Sequence, residues 1–578
     1  MMQGFEVWAP TAERVELVLA DETVPMTRTG ERWTTDRPAA AGQRYSYRVD
    51  GAGPFPDPRS RYQPEGPGEP SEIVDPSTFS WTDQAWLGAS LEAAVIYELH
   101  IGTFTPDGTL DSAIEQIDHL VDLGVTLVEL MPVASFPGNR GWGYDGVDLY
   151  AVHAAYGGPQ ALARFVDACH ARGLGVCLDV VYNHLGPSGN YLSEFGPYFT
   201  DRHQTPWGSA VNLDAPGSNE VRRFIIDNAL MWFRDYHLDA LRLDAVHALV
   251  DERAVHVLEQ LATETDQLAT QSGRPLTLIA ESDRNDPATV TARGDGGDGG
   301  LGLAGQWADD VHHTLHVLLT GESQGYYADF TDPGAFAKIA RTPFFHDGTW
   351  SSFRQRDHGR PVVPAFTPGW KFVASLQTHD QVGNRATGER LSHLVGRSRL
   401  AAGATLLLTL PYTPMLFMGE EWGASTKWAY FTDHQEPELA KAVSEGRRNE
   451  FAEHGWGDAV PDPQAASTAE DSTLRWDEVA RPDHTRLLAW YQELIRLRRA
   501  VPHLADPTLG VTDVRRDGDV LSYQRGGYTV VVNLSANCAT HPFGGDSELL
   551  ASWDAECCGG VLTLEPNGSA IYGPSSRE

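Results

Sequence analysis

The chain is poor in positive charge: 44 Lys and Arg face 79 Asp and Glu, giving a formal charge of −35 at pH 7. Binding a phosphate backbone needs a basic patch, and none of any length is visible, so nucleic acid is excluded as a partner. The same acidity disfavours an anionic membrane surface and suits a protein kept soluble in the cytoplasm. Long apolar runs are missing too, and no stretch reaches the ~18 residues that cross a bilayer. The N-terminal stretch MMQGFEVWAPTAERVELVLA has no basic segment followed by an apolar one, so no secretory leader is expected. Cysteine is scarce. Cys169, Cys177, Cys538, Cys557 and Cys558 form an odd set without paired spacing, which predicts reduced thiols in the cytoplasm rather than a disulfide framework.

What is present is a large apolar and aromatic stock. Over 578 residues, 41% hydrophobic content supports a sizeable core and several domains. The 16 Trp and 19 Tyr mostly belong to that core, yet they also suit a sugar cleft, where aromatic rings stack on pyranose faces. Residues 1–88 read as a β-sandwich. FEVWAP, RVELVLA and RYSYRVDG are strand-like segments parted by turn residues, and the Pro- and Gly-dense GPFPDPRSRYQPEGPGEPSEIVDP reads as loop or linker.

From Ala94 the pattern becomes strand, loop, helix. AVIYELH leads to the helical LDSAIEQIDHLVDLG, capped by Gly124, and VTLVELMPV leads to PQALARFVDACHARG. LGVCLDVVYNH, LDALRLDAVHAL, LTLIAES, QWADD, FVASLQTHD and TPMLFMGEEWG bring the strands to eight. Eight strands interleaved with helices over 89–504 predict a (β/α)8 TIM barrel, with insertions at about 182–219 and 320–370. Residues 505–578 return to short strands (GVTDVRR, DVLSYQRG, YTVVVNLS, GGVLTLE) and read as an antiparallel β domain. The fold expected is therefore a multidomain α/β protein built on a central barrel. The Gly-rich RGDGGDGGLGLAG at 293–305 reads as a flexible loop beside the barrel rim.

Three of the strand-like runs place a carboxylate where their apolar residues give out: Asp244 in LDALRLDA, Glu281 in LTLIAES and Asp380 in FVASLQTHD. Strand ends gather at one rim of a parallel barrel, where its active site sits. Three acids there suit glycoside chemistry: a nucleophile, a proton donor and a group that steadies a cationic transition state. Arg242 lies two residues before Asp244, on the same strand face. It is expected to lower that carboxyl's pKa and keep it ionised, as a nucleophile requires. Glu281 ends an apolar run, where desolvation raises a carboxyl pKa and suits a general acid. His312 and His313, beside Asp309 and Asp310, are not expected to hold a metal, because neighbours on a strand point to opposite faces.

DVVYNH, LRLDAVHAL, LIAES and QTHDQVGNR, in this order and each at a strand end, resemble the four signature regions of the α-amylase superfamily of retaining glycosidases and transglycosylases. FEVWAP resembles the start of the immunoglobulin-like, carbohydrate-binding-module type sandwich of glycogen-branching and related members. RGWGYDGVDLYAVHAAYGGP, YNHLGPSGNYL, QWADDVHHTLHVLLTGESQGYY and GEEWGAS followed by FTDH are similar in particular to the malto-oligosyltrehalose trehalohydrolase family. Thr378 stands where that family usually has Asn, and Lys427 where it usually has Pro.

The resemblance implies hydrolysis of the α-1,4-glucosidic bond next to the terminal trehalose unit of a malto-oligosaccharide, with retention. Asp244 would be the nucleophile, Glu281 the acid and base, and Asp380 the stabiliser. Glycogen branching, or another α-glucan activity of the superfamily, is the alternative. By the same resemblance His184 and His379 grip the reacting sugar, Tyr144 stacks beneath it with Asp145 in support, and Asp179 and Asn183 brace the site. Arg242, Leu243, Ala245, Val246 and His247 around the nucleophile, and Gln381, Val382, Gly383 and Asn384 after Asp380, are implied to bind substrate. Asp309, Asp310, Val311, His312 and His313 are expected to line the side that receives the trehalose end. In many amylases the asparagine corresponding to Asn183 helps bind calcium. This chain resembles a calcium-free branch and shows no clear acidic cluster in the strand-three insertion, so neither metal nor cofactor is expected. The implied metabolic partner is a malto-oligosyltrehalose synthase that makes the substrate.

Overall fold

The computed structural model describes residues 4–294, 299–452, 459–544 and 546–574. The loop expected at 293–305 falls partly outside them, at 295–298.

Two antiparallel sheets form the N-terminal sandwich. One orders Glu6–Trp8, Arg32–Thr34 and Thr27–Thr29; the other orders Thr23–Pro25, Val15–Val18, Arg44–Val49 and Ala52–Phe55, with Ser71–Glu72 paired onto its third strand. Val7, Val15, Leu17, Trp33, Tyr45 and Tyr47 are buried within it. The odd-even spacing of these residues is the period-two signal that marked the strands.

Eight parallel strands then close a barrel: β1 (Ile96–Leu99), β2 (Leu127–Leu130), β3 (Gly175–Val180), β4 (Ala240–Leu243), β5 (Thr277–Ala280), β6 (Gly305–Trp307), β7 (Phe372–Ser375) and β8 (Thr413–Phe417). Every residue of these strands is buried. Helices cover the outside and side chains fill the inside, which is why the strands read as near-continuous apolar runs.

Alternation along each strand sorts the barrel interior by height. Ile96, Leu127, Cys177, Ala240, Ile279, Trp307, Val373 and Met415 pack together as an apolar floor. Two residues further along β1 to β4 stand Glu98, Glu129, Asp179 and Arg242, with Glu129 opposite Glu98 and Asp179 opposite Arg242. All four are buried. A charged layer therefore lies on the apolar one, and Asp244 and Glu281 rise above it from the ends of β4 and β5.

Helices Gly158–Ala171, Ser218–Asp235, Val257–Ser272, Asp309–Thr320, Arg397–Thr409 and Pro482–Ala500 follow β2, β3, β4, β6, β7 and β8. The helix expected at LDSAIEQIDHLVDLG breaks into Leu110–Ile114 and Ile117–Leu123. Its second half ends on Gly124 at φ 95, a left-handed cap that favours glycine. After β5 the described residues hold only the short turn Pro287–Thr289. The expected insertions contain hairpins, Phe199–Thr205 with Gly208–Val211 and Thr349–Ser351 with Arg356–His358. A third excursion, between β8 and Pro482, was not foreseen and carries the helix Pro437–Ala452.

The C-terminal sheet has six strands, of which Ser547–Cys558 and Val561–Pro574 form a long antiparallel pair. The acidic, small-residue composition of SELLASWDAECC hid the first of them. Among the described residues no helix is long and apolar enough to cross a membrane.

Candidate active site at the barrel rim

Arg242 organises the site. Its Nη1 donates to Asp179 Oδ1 and Oδ2 at 3.0 and 2.9 Å and to Asp244 Oδ1 at 2.8 Å, while Nη2 lies 3.3 Å from Glu281 Oε2. The guanidinium stacks 4.4 Å from the Trp307 ring centre. One planar cation thus serves three carboxylates, which a lysine ammonium has neither the fork nor the breadth to do. Ala245, directly after Asp244, adopts the left-handed conformation at φ 39 and ψ 51. That turn aims its N–H at Glu281 Oε2, 2.6 Å away. An alanine held there stores about 1–2 kcal/mol of strain, between two of the acids.

Burial lifts both the Asp244 and the Glu281 carboxyl above the ordinary range, with Arg242 the chief opposing influence on each. For Asp244 this corrects the expectation of a depressed pKa. Only 11% of its side chain is exposed, and the loss of water outweighs the guanidinium. Asp179 lies deeper, and burial pushes it to about 7 against the pull of Arg242. Asp380 stands at the mouth with 41% of its side chain exposed.

Thr378 caps the short helix His379–Gly383: its hydroxyl accepts from the Asp380 N–H at 3.2 Å, and its own N–H donates to Gln381 Oε1 at 2.9 Å. Threonine is a good N-cap, so the departure from asparagine keeps the loop's geometry. Lys427, the other departure, donates to Thr387 Oγ1 at 2.6 Å. His379 Nε2 meets the Tyr144 hydroxyl at 2.8 Å, and the two rings stack with centres 5.2 Å apart. Tyr144 in turn donates to Asp179 Oδ2 at 2.5 Å. His184 accepts from Asn183 at Nδ1 (3.0 Å) and donates from Nε2 to the Tyr144 carbonyl (3.0 Å), which makes it a neutral tautomer.

These groups open into a cleft of about 910 Å³. Tyr144, Asp145, His184, Asp244, Ala245, His247, Glu281, His379 and Asp380 line it, as do Trp142, Trp207 and Tyr430. Trp207, at the tip of the first hairpin, stacks flat on His184 with ring centres 4.6 Å apart. Other residues singled out in the sequence sit behind this surface. Leu243, Val246, Val311 and Val382 are core side chains, 1%, 6%, 0% and 2% exposed. Gly383 lets the Trp142 indole approach so closely that a Cβ would lie 2.0 Å from it. Asn384 reaches back to Asp380 Oδ1 at 3.3 Å.

The stretch Asp309 to His313 needs a correction. It lies on a helix, not a strand, so neighbouring side chains stand about 100° apart rather than on opposite faces, and His312 Nδ1 meets His313 Nδ1 at 3.0 Å. Burial pushes both imidazoles down, His313 to about 3. Asp309 is half-buried near Glu281, and desolvation and that charge push its carboxyl up to about 7. Asp310 is engaged elsewhere, accepting from Asn285 Nδ2 and the His346 N–H at 2.8 Å each. His313 packs 4.8 Å from Tyr326, whose ring is partly exposed.

Residues 73–206 match the α-amylase catalytic domain and residues 3–76 match carbohydrate-binding module 48, the isoamylase N-terminal domain. The chain is 53% identical to malto-oligosyltrehalose trehalohydrolase of Arthrobacter ramosus, over 99% of each chain. It is 50% identical to the protein of that name from Mycobacterium tuberculosis, over 96% of this chain and 97% of the other. A solved structure described as a candidate α-amylase from Salmonella typhimurium superposes with a TM-score of 0.89, at 37% identity over 98% of this chain and 97% of the other. The chain belongs to the malto-oligosyltrehalose trehalohydrolase family. As a trehalohydrolase of the α-amylase type it is a glycoside hydrolase built on a TIM barrel.

The fold also gathers groups that the strand-end rule could have flagged. Glu98 in AVIYELH and Glu129 in VTLVELMPV are acids near the ends of apolar runs, as Asp244 and Glu281 are. Trp142, Trp207 and Tyr430 carry no such signal, since nothing local separates a cleft aromatic from a core one. The fold also brings together what the sequence did not show: His203 and Asp214 of the strand-three insertion and Glu252 after β4 place their ligand atoms within 4.8 Å of one another. Arg202 pairs with Glu252 at 2.7 Å and His203 with Asp214 at 2.9 Å. The cluster is thereby compensated as an ion-pair knot that ties the hairpin to the loop after β4.

Proposed function

We infer that this protein hydrolyses the α-1,4-glucosidic bond next to the terminal trehalose unit of malto-oligosyltrehalose, releasing trehalose and a malto-oligosaccharide. The observation that carries the reading is the single Arg242 guanidinium touching both Asp244 and Glu281 at the base of an aromatic-walled cleft. Asp244 attacks the anomeric carbon while Glu281 protonates the departing trehalose oxygen, leaving the malto-oligosaccharide as an ester on Asp244. Glu281, now a carboxylate, takes a proton from water, which attacks the ester from the opposite face and restores the α configuration.

Each protonation state has a physical source. Desolvation raises the Glu281 carboxyl and so favours the protonated form a general acid needs. Asp244 keeps the shorter contact to Arg242, 2.8 Å against 3.3 Å for Glu281, so the cation favours its ionised form. Asp380 and His184 supply hydrogen bonds to sugar hydroxyls, Tyr144 a stacking face, and the Asp309 to His313 helix with His247 the side that takes trehalose. The same reading assigns 1–88, 89–504 and 505–578 to sandwich, barrel and C-terminal domains. It places the enzyme in the cytoplasm, supported by its free cysteines, downstream of a synthase that caps malto-oligosaccharides with trehalose.

Incubation with maltotriosyltrehalose is expected to yield trehalose and maltotriose, and Asp244→Asn to abolish both. New α-1,6 branches on amylose without trehalose release would favour glycogen branching and overturn the assignment.

A further inference from the structure

Glu98, on β1, takes no part in the chemistry assigned to Asp244, Glu281 and Asp380. It is 1% exposed and grips His379 twice: Oε1 meets Nδ1 at 2.5 Å, and Oε2 accepts the His379 backbone N–H at 3.0 Å. A buried carboxylate held against a loop that carries a site acid calls for an explanation beyond packing.

Counting protons around the ring supplies one. Arg242 Nη1 stands within 3.0 Å of both Asp179 oxygens, so above pH 7, where it is ionised, that carboxyl accepts. The Tyr144 hydroxyl has one proton and gives it to Asp179 Oδ2. Its oxygen can then only accept from His379 Nε2, 2.8 Å away. Nδ1 faces Glu98. With Glu98 a carboxylate, whose Oε2 already accepts the His379 N–H, both ring nitrogens donate, and an imidazole that donates twice is a cation.

We propose that Glu98 is a positioning residue for the reaction, holding the His379 ring as a doubly donating imidazolium aimed at Tyr144 and Asp380. The inference rests on the active-site reading above. A chain of alternating partners results, from Glu98 through His379, Tyr144, Asp179 and Arg242 to Asp244. It fixes the ring of Tyr144 beneath the reacting sugar and sets a positive charge 3.5 Å from Asp380 Oδ1. Networks of this kind are cooperative, because each member orients the next.

The other groups facing His379 fit a ring held charged by its neighbours. Burial lowers its pKa, but the charges of Glu98 and Asp380 overturn that and lift it to about 9. Arg242 from β4 opposes protonation, while burial and the charge of His379 hold His100, at the end of β1, down at about 4. Glu129 from β2 is itself pushed up to about 8 by burial and by Glu98. Indoles of Trp142, Trp307 and Trp428 surround the ring at 5.8, 6.2 and 6.5 Å, leaving Glu98 as its buried counter-charge.

The test is ¹⁵N NMR of the full-length enzyme with labelled histidine imidazoles at pH 7.5, the His379 signals identified by their loss in His379→Asn. Wild type is expected to show both His379 nitrogens protonated, and Glu98→Gln a neutral ring with distinct nitrogen shifts. Trehalose release should fall at least tenfold in kcat with KM within threefold, because the ring's charge matters most as the sugar becomes cationic. A neutral His379 in wild type, or an imidazolium that persists in Glu98→Gln, overturns the proposal. Should Glu98→Gln fail to fold, the wild-type spectrum alone still decides. Failure of wild type to release trehalose would overturn the substrate assignment only, since the protonation state is read without turnover.

Discussion

Replacing Arg242 with methionine keeps a long apolar stem and deletes the one cation that Asp179, Asp244 and Glu281 share. The side chain is fully buried, so water cannot substitute for it. Breaking a buried charge pair costs about 3–5 kcal/mol. A barrel of roughly 400 residues has an unfolding entropy near 0.8 kcal/mol/K, so Tm should fall by about 4–6 °C. The sign of the pH dependence follows from the acids. Burial already lifts Asp179 to about 7, and losing Arg242 raises it further. Below pH 7 the folded wild type and variant both hold that proton, and the deficit is smallest. Above it the variant alone still holds a proton that its unfolded chain has released, so its stability falls relative to wild type. The same loss raises the Asp244 carboxyl further and disfavours the ionised nucleophile, so kcat/KM for trehalose release at pH 7 should drop at least ~10³-fold, about 4 kcal/mol of transition-state stabilisation. Differential scanning calorimetry at pH 5.5 and 8.5, with a product assay, reads both effects. A Tm deficit that shrinks as pH rises, or activity within tenfold of wild type, would refute the reasoning.

Three further outcomes are expected. Glu129→Gln replaces a carboxyl that burial and Glu98 lift to about 8. From its ordinary ~4.3 up to 8 the native acid keeps a proton the unfolded chain releases, so wild-type stability falls with rising pH across that window. The glutamine variant should therefore gain on wild type between pH 5 and 8 in urea melts, and an unchanged difference would count against a protonated Glu129. Glu281→Gln should lose trehalose release yet still give a burst of nitrophenol from 4-nitrophenyl α-maltotrioside, because a good leaving group needs no acid in the first step; no burst would argue against its role. Gly383→Ala forces a Cβ to within 2.0 Å of the Trp142 ring, and is expected to cost about 1–3 kcal/mol by overpacking. Its KM should rise more than its kcat falls as the cleft wall shifts, and a crystal structure with Trp142 unmoved would contradict this.

Much of the site was legible because barrel strands advertise themselves: an unbroken apolar run ending in an acid is local information. Asp244, Glu281 and Asp380 were found that way, and Glu98 and Glu129 obey the same rule although they were passed over. The helix at Asp309 was misread because QWADD begins as a strand, and two residues decide where the period changes. Val311 and Val382 came into the binding set with the resemblance, whereas the period of a helix turns their side chains into the core.

By itself, then, the sequence determined the barrel, its flanking β domains and the acids at one rim, since burial on both faces of a strand and the loss of that burial at its end are written in consecutive residues. The tertiary structure alone decided their electrical state. Whether Asp244 sits above or below its ordinary pKa depends on water excluded by segments hundreds of residues apart and on a guanidinium shared three ways. The pairing of Glu98 with His379, 281 positions later, exists only because β8 closes onto β1.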